Sequence, residues 1–120
     1  MGKCYEALQA KYPLLYRIPI YFECGPGWYD IINDLSASLE KEIQESGDLY
    51  IAEDWYACMY CTQVKEKYGT LRFYMSCETD NVSKLIREAE MLSRTTCEVC
   101  GDPGEIIKAA WVKVKCKKCN

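Results

Sequence analysis

Apolar residues recur at helical spacing in the first half of the chain and predict a long amphipathic helix. The stripe starts just after the turn signal Gly25-Pro26-Gly27, and charged residues occupy the other faces up to a stop at Gly47. The stripe consists of Trp28, Ile31, Ile32, Leu35, Leu39 and Ile43. A shorter helix is predicted over residues 4–11 because the chain must leave helical geometry before Pro13.

A second apolar stripe predicts another helix near residue 80. Thr79, Asp80 and Asn81 are all good N-caps, and the pattern ends near Arg94. The residues predicted to be buried are Val82, Leu85, Ile86, Ala89 and Leu92.

Between the two helices, polar and apolar residues alternate and predict a β-hairpin. Its strands, Tyr60–Lys65 and Thr70–Met75, flank a four-residue loop, so that Lys65 pairs with Thr70. Alternation assigns one set to the core: Tyr60, Thr62, Val64, Leu71, Phe73 and Met75. It assigns the other set to solvent: Cys61, Gln63, Lys65, Thr70, Arg72 and Tyr74. Leu49–Ala57 is predicted to add one more strand.

Near the C-terminus, two C-x₂-C pairs have the spacing of a zinc ribbon. Fifteen residues separate Cys97-Glu98-Val99-Cys100 from Cys116-Lys117-Lys118-Cys119, and four thiolates complete a closed, structural tetrahedron around one zinc ion. An iron–sulfur cluster and four reduced cysteines without a metal are the alternatives. Ile106–Lys108 and Trp111–Lys115 are predicted to be its strands. The chain is therefore predicted to be α+β, a small antiparallel sheet packed with two main helices, with a domain over 1–95 and a ribbon over 96–120.

The nine cysteines occur without a secretory signal, which favours a reducing compartment, the cytoplasm, where thiols are metal ligands or core residues and do not form disulfides. A third C-x₂-C, Cys58 to Cys61, lies in a predicted strand and is interpreted as packing. A second metal with Cys24 or Cys77 remains an alternative, and Cys4 has no assigned role. No apolar run has membrane-spanning length. The oligomeric state, including a homo-oligomer, stays open.

The predicted exposed face of the hairpin is the candidate ligand site. Cations pair with phosphate and aromatic rings stack on bases, so this composition suits a nucleotide-like anion. The candidate residues are Lys65, Lys67, Tyr68, Arg72, Tyr74 and Trp28. An ordinary solvated strand face is the alternative, and Trp28 alternatively anchors its helix in the core.

Three longer motifs resemble a family of small phage and prophage proteins that end in a zinc ribbon. They are Glu23-Cys24-Gly25-Pro26-Gly27-Trp28, then Gln63 to Tyr74, then Thr96 to Gly101 with Trp111 before the last cysteine pair. The resemblance runs from about Tyr12 to the C-terminus. It implies a phage setting and little chemistry, because the family has no settled activity. Some members lack a cysteine of the last pair, whereas this chain has all four.

The formal charge of −3 and the absence of histidine restrict the function. An acidic chain disfavours non-specific nucleic-acid binding, and the missing imidazole removes the commonest general base, so a non-catalytic binder is favoured over an enzyme. By analogy with accessory phage proteins, the expected target in the host bacterial cytoplasm is a nucleotide-like immune signal or a host defence protein. The alternatives are a nucleic-acid-associated regulator using Lys113, Lys115, Lys117 and Lys118, and a small hydrolase using Glu23, Asp30 or Tyr74.

Overall fold

The computed structural model describes residues 4–50, 59–107 and 112–119, and confirms the α+β arrangement. Its helices are α1 (Tyr5–Lys11), α2 (Tyr29–Tyr50) and α3 (Asp80–Ser93), and a 3₁₀ turn over Pro26–Trp28 leads into α2. Its strands are β1 (Phe22–Glu23), β2 (Cys61–Lys67), β3 (Thr70–Met75), β4 (Glu105–Ile107) and β5 (Lys113–Lys115). No helix in the described ranges is long and apolar enough to cross a membrane.

The larger sheet has the order β1-β2-β3, and β1 is its unpredicted member. Strand β1 runs parallel to β2 with Phe22 opposite Val64, while β2 and β3 are antiparallel. The predicted strand over Leu49–Ala57 is wrong at its first two residues, which belong to α2, and residues 51–58 lie outside the described residues. Gly47 does not end the helix, since a glycine within a helix costs only about 1 kcal/mol.

The predicted hairpin register is wrong by two residues. Thr70 pairs with Lys67, and Lys65 pairs with Arg72, because the loop is only Tyr68 and Gly69. Both loop residues have positive φ, 53° and 79°, as the twist of a two-residue hairpin turn requires. Glycine adopts this conformation freely, but tyrosine does so rarely, which is why the sequence indicated a longer loop.

The assignment of faces is correct at the centre of the hairpin and wrong at its ends. Val64, Leu71 and Phe73 are buried as predicted. A β-bulge between Cys61 and Gln63 inserts one extra residue, so Cys61 turns into the core and Thr62 is exposed. Thr70, predicted to be exposed, is buried.

Helices α2 and α3 cover the core face of the sheet, and their apolar stripes form the hydrophobic core. Helix α3 begins where the sequence predicts: the hydroxyl of Thr79 accepts a hydrogen bond from the N–H of Val82 (3.2 Å). The fully buried large residues of this core are Leu8, Leu15, Trp28, Ile32, Leu39, Ile43, Met59, Val64, Leu71 and Val82. Leu92 is an exception to the predicted pattern, since it is 58% exposed.

Side chains of α3 occupy the outer edge of β3. The N–H of Leu71 donates to Oγ of Ser93 (2.9 Å), and the N–H of Phe73 donates to Oε2 of Glu90 (3.2 Å). These two N–H groups would otherwise be unpaired on an edge strand. Helix α3 therefore provides their hydrogen-bond acceptors and also covers one face of the sheet.

Candidate metal centre and hairpin face

Four sulfur atoms converge in the C-terminal ribbon, which is residues 96–119. The Sγ atoms of Cys97, Cys100, Cys116 and Cys119 lie within 4.8 Å of one another, and Cys100 and Cys116 are 3.5 Å apart. A tetrahedron with metal–sulfur bonds of about 2.3 Å has sulfur atoms about 3.8 Å apart. The arrangement therefore fits one metal ion, and a set of four thiolates suits zinc.

Local backbone geometry presents the first cysteine pair to the metal. Backbone N–H groups of Cys100, Cys116 and Val99 point at the thiol of Cys97, and they lower its pKa to about 6 although its burial acts in the opposite direction. Gly101 ends this turn with a φ of 86°, a conformation that favours glycine. The turn thus favours the thiolate of Cys97, whereas burial and the neighbouring thiols raise the pKa of Cys119 to about 12.

Strands β4 and β5 bring the second cysteine pair to the first. They are antiparallel, with Ile106 opposite Val114, and the N–H of Glu98 donates to the carbonyl of Val114 (2.9 Å). The two predicted ribbon strands overlap the observed β4 and β5, while Lys108 and Trp111 lie outside the described residues.

The Gly25-Pro26-Gly27 loop docks onto the first cysteine pair. The N–H of Gly25 donates to Oε2 of Glu98 (2.9 Å), and the N–H of Gly27 donates to the carbonyl of Glu98 (2.7 Å). A Cβ on Gly27 would lie 2.1 Å from the carbonyl oxygen of Cys97, so only glycine fits there. This contact explains the spacing of small residues in the loop.

Trp28 belongs to the core and not to the candidate ligand site. Its side chain is fully buried, and its Nε1 donates to the carbonyl of Thr96 (2.9 Å), at the start of the ribbon. The alternative that this residue anchors its helix is therefore the correct one, because a ring enclosed in this way is out of reach of a ligand on the hairpin.

A partly buried ion pair joins the ribbon to the end of the hairpin. Nζ of Lys113 lies 2.8 Å from Oε1 of Glu66 and 3.7 Å from Oε1 of Glu98. Burial raises the pKa of Glu66, but the hydrogen bonds from Lys113 and from the N–H of Gly69 outweigh it and lower the pKa below its usual value. The same pair raises the pKa of Lys113.

The ribbon also covers the hairpin turn. A Cβ on Gly69 would lie 3.0 Å from Cγ1 of Val112, and 3.3 Å from the backbone nitrogen of Lys113. This cover accounts for the burial of Thr70, whose hydroxyl donates to the carbonyl of Lys67 (3.1 Å).

The exposed face of the sheet brings most of the predicted ligand residues together; we call it the hairpin face. It consists of Gln63, Lys65, Arg72 and Tyr74, with Lys67 and Tyr68 at the turn. Lys65 lies directly opposite Arg72, and Gln63 lies opposite Tyr74, which is 41% exposed. Tyr68 is 70% exposed, with Nζ of Lys67 5.6 Å from its ring centroid.

Arg72 has no carboxylate within ion-pair distance among the described residues. Its side chain is half-buried, and its Nε is a buried donor without a hydrogen-bond partner. Glu90 is close enough for Arg72 to lower its pKa, although burial dominates and raises it. On β1, Glu23 lies opposite Lys65 and accepts a 3.5 Å hydrogen bond from Gln63, so the positive charge of the face has an acidic border.

The cysteines outside the cluster differ in their surroundings. Burial raises the pKa of Cys24 to about 11 and that of Cys61 to about 12. Cys61 is fully buried in the core, which agrees with the predicted packing role, while Cys58 lies outside the described residues. Cys77 is disulfide-bonded, contrary to the expectation that no cysteine forms a disulfide. Within the described ranges, the cluster in the ribbon is the one group of cysteines placed to bind a metal.

Two of the four ribbon lysines are already neutralised by carboxylates. Lys113 pairs with Glu66, and Nζ of Lys118 lies 3.0 Å from Oδ2 of Asp102. A phosphate backbone would have to compete with these partners, which weakens the case for a nucleic-acid interface. Of the residues considered for hydrolysis, Asp30 is exposed on α2, whereas Tyr74 is on the hairpin face and Glu23 is at its acidic border.

No protein-family model, curated protein or solved structure matches this chain.

Proposed function

We propose that this chain is a non-catalytic binding protein whose hairpin face takes a nucleotide-like anion and whose ribbon holds one structural zinc ion. The observation that carries the proposal is the pair Lys65 and Arg72, which lie opposite each other on one face. Two adjacent cations without carboxylate partners within 4 Å in the described part of the chain are suited to a phosphate group.

The unusual backbone of Tyr68 supports the same function. A non-glycine residue in the left-handed region costs about 1–3 kcal/mol, and such strain is concentrated at functional sites. Here the strained residue is a tyrosine with an exposed ring beside Lys67, next to the two opposed cations. A ring in this position can stack on a base while the cations hold the phosphate.

The biological setting that we propose is a phage one, in the cytoplasm of the host bacterium. This setting rests on the resemblance of the three motifs to small phage and prophage proteins. The proposed target is a host defence component. Sequestration of a nucleotide-like immune signal suits the hairpin face better than capture of a large acidic protein, because the face is small and bordered by Glu23.

Zinc is proposed to be structural because the four thiolates enclose it. A closed tetrahedral shell leaves no position for an activated water, so the centre has no hydrolytic chemistry to offer. Its contribution is to hold the ribbon, which in turn covers the hairpin turn and pairs with Glu66.

Binding of fluorescently labelled ATP, followed by anisotropy, tests the proposal. Arg72→Ala is expected to weaken binding about ten- to a hundredfold, since a charge-assisted contact is worth about 1.5–3 kcal/mol. Lys41→Ala removes an exposed cation from α2, away from the face, and is expected to leave binding unchanged. Thermal unfolding of each variant checks that the fold survives.

Native mass spectrometry of the protein taken directly from cell lysate provides a second measurement. It is expected to show one zinc ion and a co-purified phosphate-bearing molecule. The proposal fails if labelled ATP and inorganic phosphate both fail to bind and no small anion co-purifies. It also fails if Arg72→Ala stays folded and binds labelled ATP as tightly as Lys41→Ala does.

A further inference from the structure

Two adjacent apolar side chains on α3 are largely exposed. Met91 is 65% exposed and Leu92 is 58% exposed, the highest values for large non-aromatic hydrophobic residues in the described part of the chain. Leu92 continues the apolar stripe of α3, so its sequence position indicates burial while the single chain leaves it open. A stripe that extends past its own core indicates a further contact surface.

Leu92 borders a shallow groove between α2 and α3, with a volume of about 230 Å³. The floor of this groove is formed by Ile31, Leu35, Leu85 and Ala89. Its rim is acidic, with Asp30, Asp34 and Glu88, and no lysine or arginine lines it. Asp34 and Glu88 form no ion pair with any described residue, so their charges are not neutralised within the described chain.

The neighbouring stripe of the same helix has the complementary chemistry. Lys84, Arg87 and Met91 follow at intervals of three and four residues and therefore share one face of α3. All three are exposed, and neither cation forms an ion pair with a described residue. Helix α3 thus carries an acidic apolar groove and a basic apolar stripe side by side.

We propose that the occupant of the groove is a second copy of this chain, packed α3 against α3 about a two-fold axis. In such an interface, each basic stripe meets the groove of the other copy, so Lys84 and Arg87 neutralise the acidic rim while Met91 and Leu92 are buried. The surface belongs to the helical side of the molecule, and the inference does not depend on ligand binding at the hairpin face.

Analytical ultracentrifugation of the zinc-loaded full chain over micromolar to near-millimolar concentration tests this proposal. The wild type is expected to show a reversible monomer–dimer equilibrium. Leu92→Asp is expected to raise the dissociation constant at least tenfold without changing the thermal midpoint, because the side chain is exposed in the single chain. Ile106→Asp, at a 41% exposed residue of β4, is the matched control and is expected to dimerise normally.

Charge reversal distinguishes this interface from any other. The double variants Asp34→Lys/Glu88→Lys and Lys84→Glu/Arg87→Glu are each expected to be monomeric, since each makes both sides of the interface alike in charge. Mixed together, they are expected to form a heterodimer. A wild type that stays monomeric at the highest concentration overturns the proposal, as does a dimer that Leu92→Asp leaves intact or a mixture that shows no heterodimer.

Discussion

The helix–sheet domain and the ribbon are stabilised by different means. Among the described residues of the domain, seventeen hydrophobic side chains form one buried cluster that spans three helices and the hairpin. In the described part of the ribbon, the buried apolar residues are Cys97, Val114 and Cys116, and two of these are metal ligands.

This difference determines which contacts each region can lose without unfolding. A domain with many buried side chains loses a fraction of its stability when one is truncated. Among its described residues the ribbon buries one aliphatic side chain, that of Val114, which offsets little of its chain entropy. We therefore expect its fold to depend on the metal and on its contacts with the domain. Those contacts are the docked Gly25-Pro26-Gly27 loop, Trp28 and the pair of Lys113 with Glu66.

The largest effect is expected from breaking the metal site. Cys100→Ser should release one zinc ion per chain and unfold the ribbon, because metal binding to such sites supplies about 10–16 kcal/mol of apparent free energy. The α2 and α3 helices should persist, since their core lies outside the ribbon. Inductively coupled plasma mass spectrometry gives the metal content, and amide NMR spectra show which residues lose structure. Zero or two zinc ions per wild-type chain would contradict this prediction.

A truncation in the domain core should have the next largest effect. Leu71 is fully buried, so Leu71→Ala should lower the free energy of unfolding by about 2–5 kcal/mol through lost burial and a cavity. Zinc content should stay at one per chain, in contrast to Cys100→Ser. Urea denaturation with metal analysis measures both quantities. Loss of zinc in Leu71→Ala would show that the two regions are not separately stabilised.

The contact between the two regions can be tested at Gly27. In Gly27→Ala, the added methyl group would meet the carbonyl of Cys97 at 2.1 Å, so the loop and the first cysteine pair must move apart. The expected cost is about 1–3 kcal/mol, with a measurably faster loss of zinc to a chelator. If chelator kinetics stay at the wild-type rate, the docked loop does not support the metal site.

The smallest effect is expected for the ion pair between the ribbon and the hairpin. Because the pKa of Glu66 is lowered in the folded chain from 4.5, its contribution is present above that value and lost as the pH falls through the folded pKa. Glu66→Gln should cost about 1 kcal/mol at pH 7, and the difference from wild type should shrink as the pH falls below 4.5 and vanish below the folded pKa. Chemical denaturation at several pH values checks this. A constant difference across that range would mean that the carboxylate charge is not involved.

The sequence predicted those elements whose cause is local. The stripe of α2 and the Thr79 cap follow from spacing and from one hydroxyl group, and the two cysteine pairs specify the metal cluster by themselves. In each case the residues that determine the feature are near neighbours along the chain.

The features that the sequence predicted wrongly depend on contacts far apart along the chain or on a rare backbone conformation. The hairpin register depends on Tyr68 adopting a positive φ, which residue type argues against. Strand β1 has only two residues and is defined by its partner β2, while the burial of Thr70 comes from a ribbon more than forty residues away. In the candidate site, the pairing of Lys65 with Arg72 could be predicted only from the correct hairpin register. The burial of Trp28 could be predicted only from its contact with Thr96, which is far away along the chain.

The hydrogen bonds from β3 to Ser93 and Glu90 also affect how this chain can misassemble. A strand from another molecule would add to the sheet through the N–H groups of Leu71 and Phe73, and both already have acceptors on α3. Templated growth at this edge, and the exchange of these two amide protons with solvent, therefore require α3 to detach first. The rate at which α3 detaches from β3 therefore limits the rate of both processes.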